Sequence, residues 1–227
     1  MPRPGPPSSA ATPASSSASS SRARDRASVQ FQDFSALRWL IIASANDDSG
    51  LRTLPDLLRP GLDLVFVGIN PGSYSAAKGH YYARPGNLFW WALGQSGLVE
   101  GPVTPDMDAT LLRVGIGFTD VAKRPSNAAS DLSRAEFSAG ASALVKKLER
   151  FHPLVACFNG ITAYAHCFGP GAAPGPQRQS IGQTRIYVVP STSRRNAHYQ
   201  KNDILHWFQG LKGFLERARE EALDPRA

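Results

Sequence analysis

The chain has 227 residues, 42% hydrophobic and 9% aromatic, which is enough to build one ordinary domain around a proper core. No run approaches the roughly 18 consecutive apolar residues of a membrane-spanning helix, and two cysteines, Cys157 and Cys167, supply neither a disulfide framework nor a four-thiolate cluster. A net charge of +7 favours polyanionic partners, although Arg3, Arg22, Arg24 and Arg26 against Asp25 place +3 of it in residues 1–29.

Residues 1–29 are almost wholly Ser, Ala, Pro, Gly and Arg, a composition that cannot bury enough apolar surface to offset the entropy of ordering. They are expected to form a disordered tail, read either as a basic arm that scans DNA or as a tolerated extension. Early prolines spoil the amphipathic helix of a transit peptide, and the apolar stretch of a secretory signal is missing. An intracellular protein is expected, in the cytoplasm or nucleoid of a bacterium or the nucleus of a eukaryote.

The ordered domain is assigned to residues 30–227. A helix is predicted over Phe34–Ile42, and Pro60–Gly61 then introduce a strand, Leu62–Gly68. Asn87 is the predicted N-cap of a helix running through Leu93 and closing near Gly97. A short strand, Gly115–Thr119, ends at Asp120. Ser133–Phe151 is an amphipathic helix with Phe137, Leu144, Val145 and Leu148 at helical spacing. The strand Leu154–Phe158 stops at Asn159–Gly160, and Cys157 within it reads as a small core residue. A helix over Ile161–Phe168, a Gly- and Pro-rich loop over Gly169–Gly182 and a strand over Thr184–Val189 follow, the strand running into Pro190–Ser193. A helix from Asp203 to Glu221 closes the chain.

Strands alternating with helices predict an α/β architecture with a parallel, doubly wound sheet. All four strands run into polar residues, Asn70, Asp120, Asn159 and Ser191, and chemistry in such sheets sits beyond the carboxyl ends of the strands. The most informative segment is Leu64–Trp91, where a buried strand delivers Asn70 into the glycine-bounded turn Gly68-Ile-Asn-Pro-Gly72.

That turn, followed by KGHYYARPGNLFW over 78–90, closely resembles the thymine-DNA glycosylase and mismatch-specific uracil-DNA glycosylase family. The likeness continues through GIGFTD (115–120), DLSRAEF (131–137), VACFNG (155–160) and PSTSRRNAHY (190–199), in the family's order and spacing. The resemblance implies a three-layer α/β/α fold with a central parallel sheet, the uracil-DNA glycosylase-like fold. It further implies a monofunctional base-excision repair enzyme that flips a damaged or mismatched pyrimidine out of duplex DNA and hydrolyses its N-glycosidic bond.

Carried over residue by residue, Asn70 matches the catalytic asparagine. Its amide is too weak a base to take a proton, so its role is to hold and orient water. Asp120 stands where animal members carry asparagine. A carboxylate there serves as a general base or contacts the base edge, or else pairs as a strand-end aspartate with Lys123 or Arg124. Tyr82 matches the aromatic that stacks on the flipped base, and Ile69 and Asn87 complete the pocket. Ser75 replaces a small alanine and adds a hydroxyl beside the 5-substituent, while Tyr81 replaces a histidine of animal members. His80 and Lys78 are placed at the pocket rim or facing phosphate, with a structural role the default for the histidine. Phe89, Trp90 and Trp91 are assigned to core packing. Arg195 aligns with the residue inserted into the duplex, with Arg194 beside it, and Ser191 and Ser193 are placed on flanking phosphates. The alternative for this loop is contact with phosphates only.

No metal and no cofactor are implied. The expected partners are double-stranded DNA carrying G·U or G·T mispairs and a downstream abasic-site endonuclease; no membrane partner is expected, and the chain is expected to act as a monomer. Two other readings compete. One is a catalytically silent DNA-binding module of the same fold; the other is a nucleoside hydrolase, which would not need the PSTSRR loop.

Overall fold

A computed structural model describes residues 53–223. The expected tail and the helix over 34–42 lie outside the described residues. Strands β1 (Leu64–Gly68), β2 (Ile116–Asp120) and β3 (Val155–Asn159) carry side chains buried along their whole length. Near-continuous apolar runs of this kind suit strands covered on both faces. With β4 (Gly175–Ile181) and β5 (Thr184–Val189) they form one five-stranded sheet in the order β2-β1-β3-β5-β4.

Four strands are parallel, as expected, but β4 runs antiparallel to β5 at the sheet edge, inside the segment predicted to be a loop. Only the ends of Gly175-Pro-Gln-Arg-Gln-Ser-Ile181 are buried, and the register shifts between Pro176 and Ser180. An edge strand tolerates proline and exposed polar residues that a central strand would not. The result is an α/β fold whose mostly parallel central sheet is flanked by helices.

The helices are α1 (Ser73–Lys78), α2 (Phe89–Gln95), α3 (Arg134–Phe151), α4 (Ile161–Phe168) and α5 (Lys201–Leu223), with a run of 3₁₀ turns over Pro105–Val114. Among the described residues, no helix is long and apolar enough to cross a membrane. α2 starts one residue later than expected. Leu88 occupies the cap position, and Asn87 reaches in from the residue before it, its Oδ1 accepting the Phe89 N–H at 3.0 Å. α3 opens on a reciprocal capping box, in which Ser133 Oγ accepts the Glu136 N–H at 3.2 Å and Glu136 Oε2 accepts the Ser133 N–H at 2.8 Å.

The core beneath the site is aromatic. Phe66 of β1 meets Phe89 edge-on at 4.8 Å between ring centroids and stacks with Phe118 of β2 at 5.9 Å. Trp90 is buried and donates its indole N–H to the Tyr81 carbonyl at 2.9 Å. Trp91 is only half-buried, with the Lys201 ammonium 4.1 Å from its ring centroid. α2 thus ties the chain after α1 to the sheet.

Candidate active site

Two adjacent strands set the site. β1 and β2 are parallel with Gly68 opposite Asp120, and their pairing continues past the strand ends. Val121 N donates to Gly68 O at 2.9 Å, Ala122 N to Ile69 O at 3.0 Å and Ser126 N to Pro71 O at 3.1 Å. The turn bearing Asn70 is therefore fastened along one side to the segment that follows Asp120. Asn70 Nδ2 donates to Ser126 Oγ at 2.9 Å, to Arg124 O at 3.1 Å and to Pro71 O at 3.2 Å. Three acceptors around one nitrogen fix which end of the amide is which and leave the carbonyl Oδ1 as the end able to accept from water. Ser126 had no signal in the sequence. It is buried and donates its own hydroxyl to Ala128 O at 2.6 Å, which aims its oxygen at Asn70.

Asp120 is 2% exposed, and its Oδ2 accepts no hydrogen bond from any described residue. Lys123 forms an ion pair with it, Nζ standing 3.6 Å from Oδ2, longer than a hydrogen bond, whereas Arg124 binds Glu136 at 2.5 Å. Burial pushes the Asp120 carboxyl up to about 6; Lys123 opposes the shift and the negative Asp56 adds to it. The aspartate fits only because its neighbour has no side chain. A β-carbon on Gly68 would meet Asp120 Oδ1 at 2.3 Å and the Tyr82 hydroxyl at 3.3 Å. Gly68→Ala is expected to cost about 1–3 kcal/mol of stability and to slow any reaction that uses the carboxylate it displaces. Denaturant unfolding and a single-turnover rate on the same sample check both.

Tyr82 holds a left-handed backbone, φ +52°, and its ring stacks on Phe89 with centroids 4.1 Å apart. One ring face is thus taken by the core. Its buried hydroxyl finds no partner among the described residues, and burial, with the nearby Asp120, pushes that phenol well above its ordinary value. Ser75 is buried, and its Oγ accepts the Ala83 N–H at 3.0 Å. Its hydroxyl oxygen thereby fixes the turn behind Tyr82. Tyr81 is buried and donates to Pro55 O at 3.0 Å. His80 Nδ1 lies 3.2 Å from Asp108, which also accepts the Tyr81 N–H at 2.9 Å. Neither His80 nor Lys78 lines the pocket.

Ile69, Asn70, Ser75, Tyr82, Asn87 and Asp120 all line one cavity of about 450 Å³, together with Ser126 and Asn159. Its far wall is the loop after β5, which contributes Ser191, Ser193 and Arg195. The loop is pinned to β3 by a reciprocal pair: Thr192 N donates to Asn159 Oδ1 at 3.0 Å, and Asn159 Nδ2 donates to Thr192 Oγ1 at 2.9 Å. Thr192 O also accepts the Leu88 N–H at 3.0 Å. Arg194 does not join Arg195 in this cavity. It packs across Gly86, whose β-carbon would sit 2.6 Å from Arg194 Cδ, and lines a second cavity of about 290 Å³. Among the described residues, no three His, Cys, Asp or Glu side chains are grouped to hold a metal ion.

Residues 55–212 match the family model of the uracil DNA glycosylase superfamily. The chain belongs to the uracil DNA glycosylase superfamily. A solution NMR structure of a candidate uracil DNA glycosylase from Methanosarcina acetivorans is similar at 24% identity, over 71% of this chain and 98% of that one, with a TM-score of 0.48. Membership in the superfamily supports DNA glycosylase activity.

Proposed function

We propose that the protein is a monofunctional mismatch-specific DNA glycosylase that excises uracil, and thymine or other damaged pyrimidines admitted by the same pocket, opposite guanine. The observation that supports this most directly is the convergence of the Asn70 amide and the Asp120 carboxylate on one cavity lined by Tyr82. A stacked base cannot be attacked, so the target nucleotide is flipped, at a cost of a few kcal/mol. The cavity takes the pyrimidine against the free face of Tyr82. Asn70 Oδ1 accepts one O–H of the attacking water, and Asp120 accepts the proton that the water loses as its oxygen bonds to the sugar. The glycosidic bond breaks with both electrons leaving on the base, and the sugar passes through an oxocarbenium-like state. Arg195 fills the gap in the duplex, with Ser191 and Ser193 on flanking phosphates. The enzyme works as a monomer without a cofactor and passes an abasic site to a downstream endonuclease.

End-labelled duplexes carrying G·U, G·T or A·U, and single-stranded uracil, are incubated with the protein and then treated with alkali. Alkali-dependent cleavage of G·U in preference to A·U is the expected result. Tight, salt-dependent binding without cleavage would favour a silent DNA-binding module. Release of uracil from free deoxyuridine in place of duplex DNA would favour a nucleoside hydrolase. Arg195→Ala is expected to weaken discrimination between duplex and single strand. If it instead only reduces the slope of log affinity against log salt, by about 1, the arginine touches phosphate and does not insert.

A further inference from the structure

The cation nearest Asp120 is held mainly by a different carboxylate. Lys123 Nζ lies 3.0 Å from Asp56 Oδ1, donates to the Tyr81 hydroxyl at 3.4 Å, and stands 3.6 Å from Asp120 Oδ2. Asp56 is anchored in turn. Lys147 of α3 reaches its Oδ2 at 2.5 Å, and the Thr119 hydroxyl of β2 donates to its Oδ1 at 2.7 Å. A buried carboxylate beside a mobile ammonium normally draws it into a short charge-assisted hydrogen bond. Here the ammonium is already committed to Asp56, and Asp120 Oδ2 is left without a donor.

The charged and titratable groups acting on Asp120 come from four places. They are Lys123 after β2, Asp56 before β1, Lys147 on α3, and Tyr81 and Tyr82 after α1. Asn159 at the end of β3 adds a neutral amide to the same cavity. Asp56 holds both lysines, and of the two Lys123 is the one that comes within 4 Å of Asp120.

We propose that Lys123 is a positioning residue of the reaction centre, anchored by Asp56 just beyond hydrogen-bonding distance of Asp120, so that it balances the carboxylate's charge without tying it into a hydrogen bond. This rests on the reading of Asp120 as the group that accepts the water proton. Two substitutions then act in opposite directions. Lys123→Met removes the balancing charge and makes the Asp120 anion harder to form. Asp56→Asn removes a repelling neighbour and releases the ammonium toward Asp120, so the anion forms more easily and is a weaker base.

The test is the single-turnover rate of G·U excision measured from about pH 5 to 9. The ascending limb is expected to move up by about one pH unit or more in Lys123→Met and down in Asp56→Asn. The carboxyl ¹³C titration of Asp120 in the DNA-free protein reads the same two shifts without turnover. A lysine that only supports the fold would lower the rate or the melting temperature and leave both midpoints where they are. If Asp120→Asn abolishes the limb but neither substitution moves it, and the ¹³C midpoint is equally unmoved, the role of Lys123 is overturned while that of Asp120 stands. If Asp120→Asn keeps the wild-type rate and limb, the reading of Asp120 itself fails.

Discussion

Asn70→Ala is expected to lower the single-turnover rate of uracil excision by about 10²–10³-fold, the usual consequence of removing one preorganised polar contact from a reaction centre. The size of the effect follows from how the amide is held. Its nitrogen donates to Ser126 Oγ, Arg124 O and Pro71 O, so the carbonyl is presented in one orientation before water or substrate arrives. Alanine removes the acceptor and leaves the turn in place, because the turn is fastened by backbone bonds from Ala122 and Ser126. Stability should fall by only about 1 kcal/mol, and affinity for a G·U duplex should stay close to wild type. Rate, melting temperature and binding measured on one preparation separate these effects. An alanine variant as fast as the wild type would remove Asn70 from the mechanism. Residual activity that disappears when Asp120→Asn is added would assign the remainder to the carboxylate.

Asp120→Asn is expected to lower the rate by about 10²–10⁴-fold, the range for loss of a positioned general base, and to change the pH dependence of both activity and stability. Because the carboxyl is pushed up to about 6 by burial, the wild-type rate should rise as pH climbs through about 6 and level off above it. The asparagine variant should show no such limb. For stability the sign is the reverse of the familiar case. The folded state holds this proton more tightly than the unfolded chain, so wild-type stability falls as pH rises from the ordinary carboxylate range to about 6 and stays lower beyond. The loss is on the order of 2–3 kcal/mol. Asparagine carries no such charge, so at alkaline pH the variant should be at least as stable as the wild type while being far slower. Denaturant unfolding at two pH values checks this. An Asp120→Asn variant with full activity would return the residue to a structural role.

The parts of the site legible in the sequence are those in which a buried apolar run stops at a polar residue. β1, β2, β3 and β5 all do so, and Asn70, Asp120 and Asn159 end at the same cavity. What escaped has no such contrast. β4 exposes the middle of Gly175–Ile181, and at a sheet edge the polar residues that suit solvent look like loop. α1 is six residues of mixed character, too short for a period to show. Arg194 and Arg195 are adjacent in sequence, and only the backbone path reveals that one packs on Gly86 while the other lines the cavity. The Asp56–Lys123–Lys147 cluster joins residues far apart along the chain, brought together by the segment before β1, the end of β2 and a turn of α3. No local pattern encodes a contact of that kind.

The backbone pairing that runs on past β1 and β2 has a consequence for how this enzyme can change over evolutionary time. Positions 70 and 120 are held by main-chain bonds and by the register of Gly68 against Asp120, and these do not depend on the side chain either position carries. A lineage can therefore exchange one polar group for another at position 120 without rebuilding the frame that aims it, because the scaffold and the side chain it presents are specified separately. The polar group offered at position 120 becomes a single-codon property, and the intolerant position is the glycine facing it, where any β-carbon would close the space that makes the exchange possible.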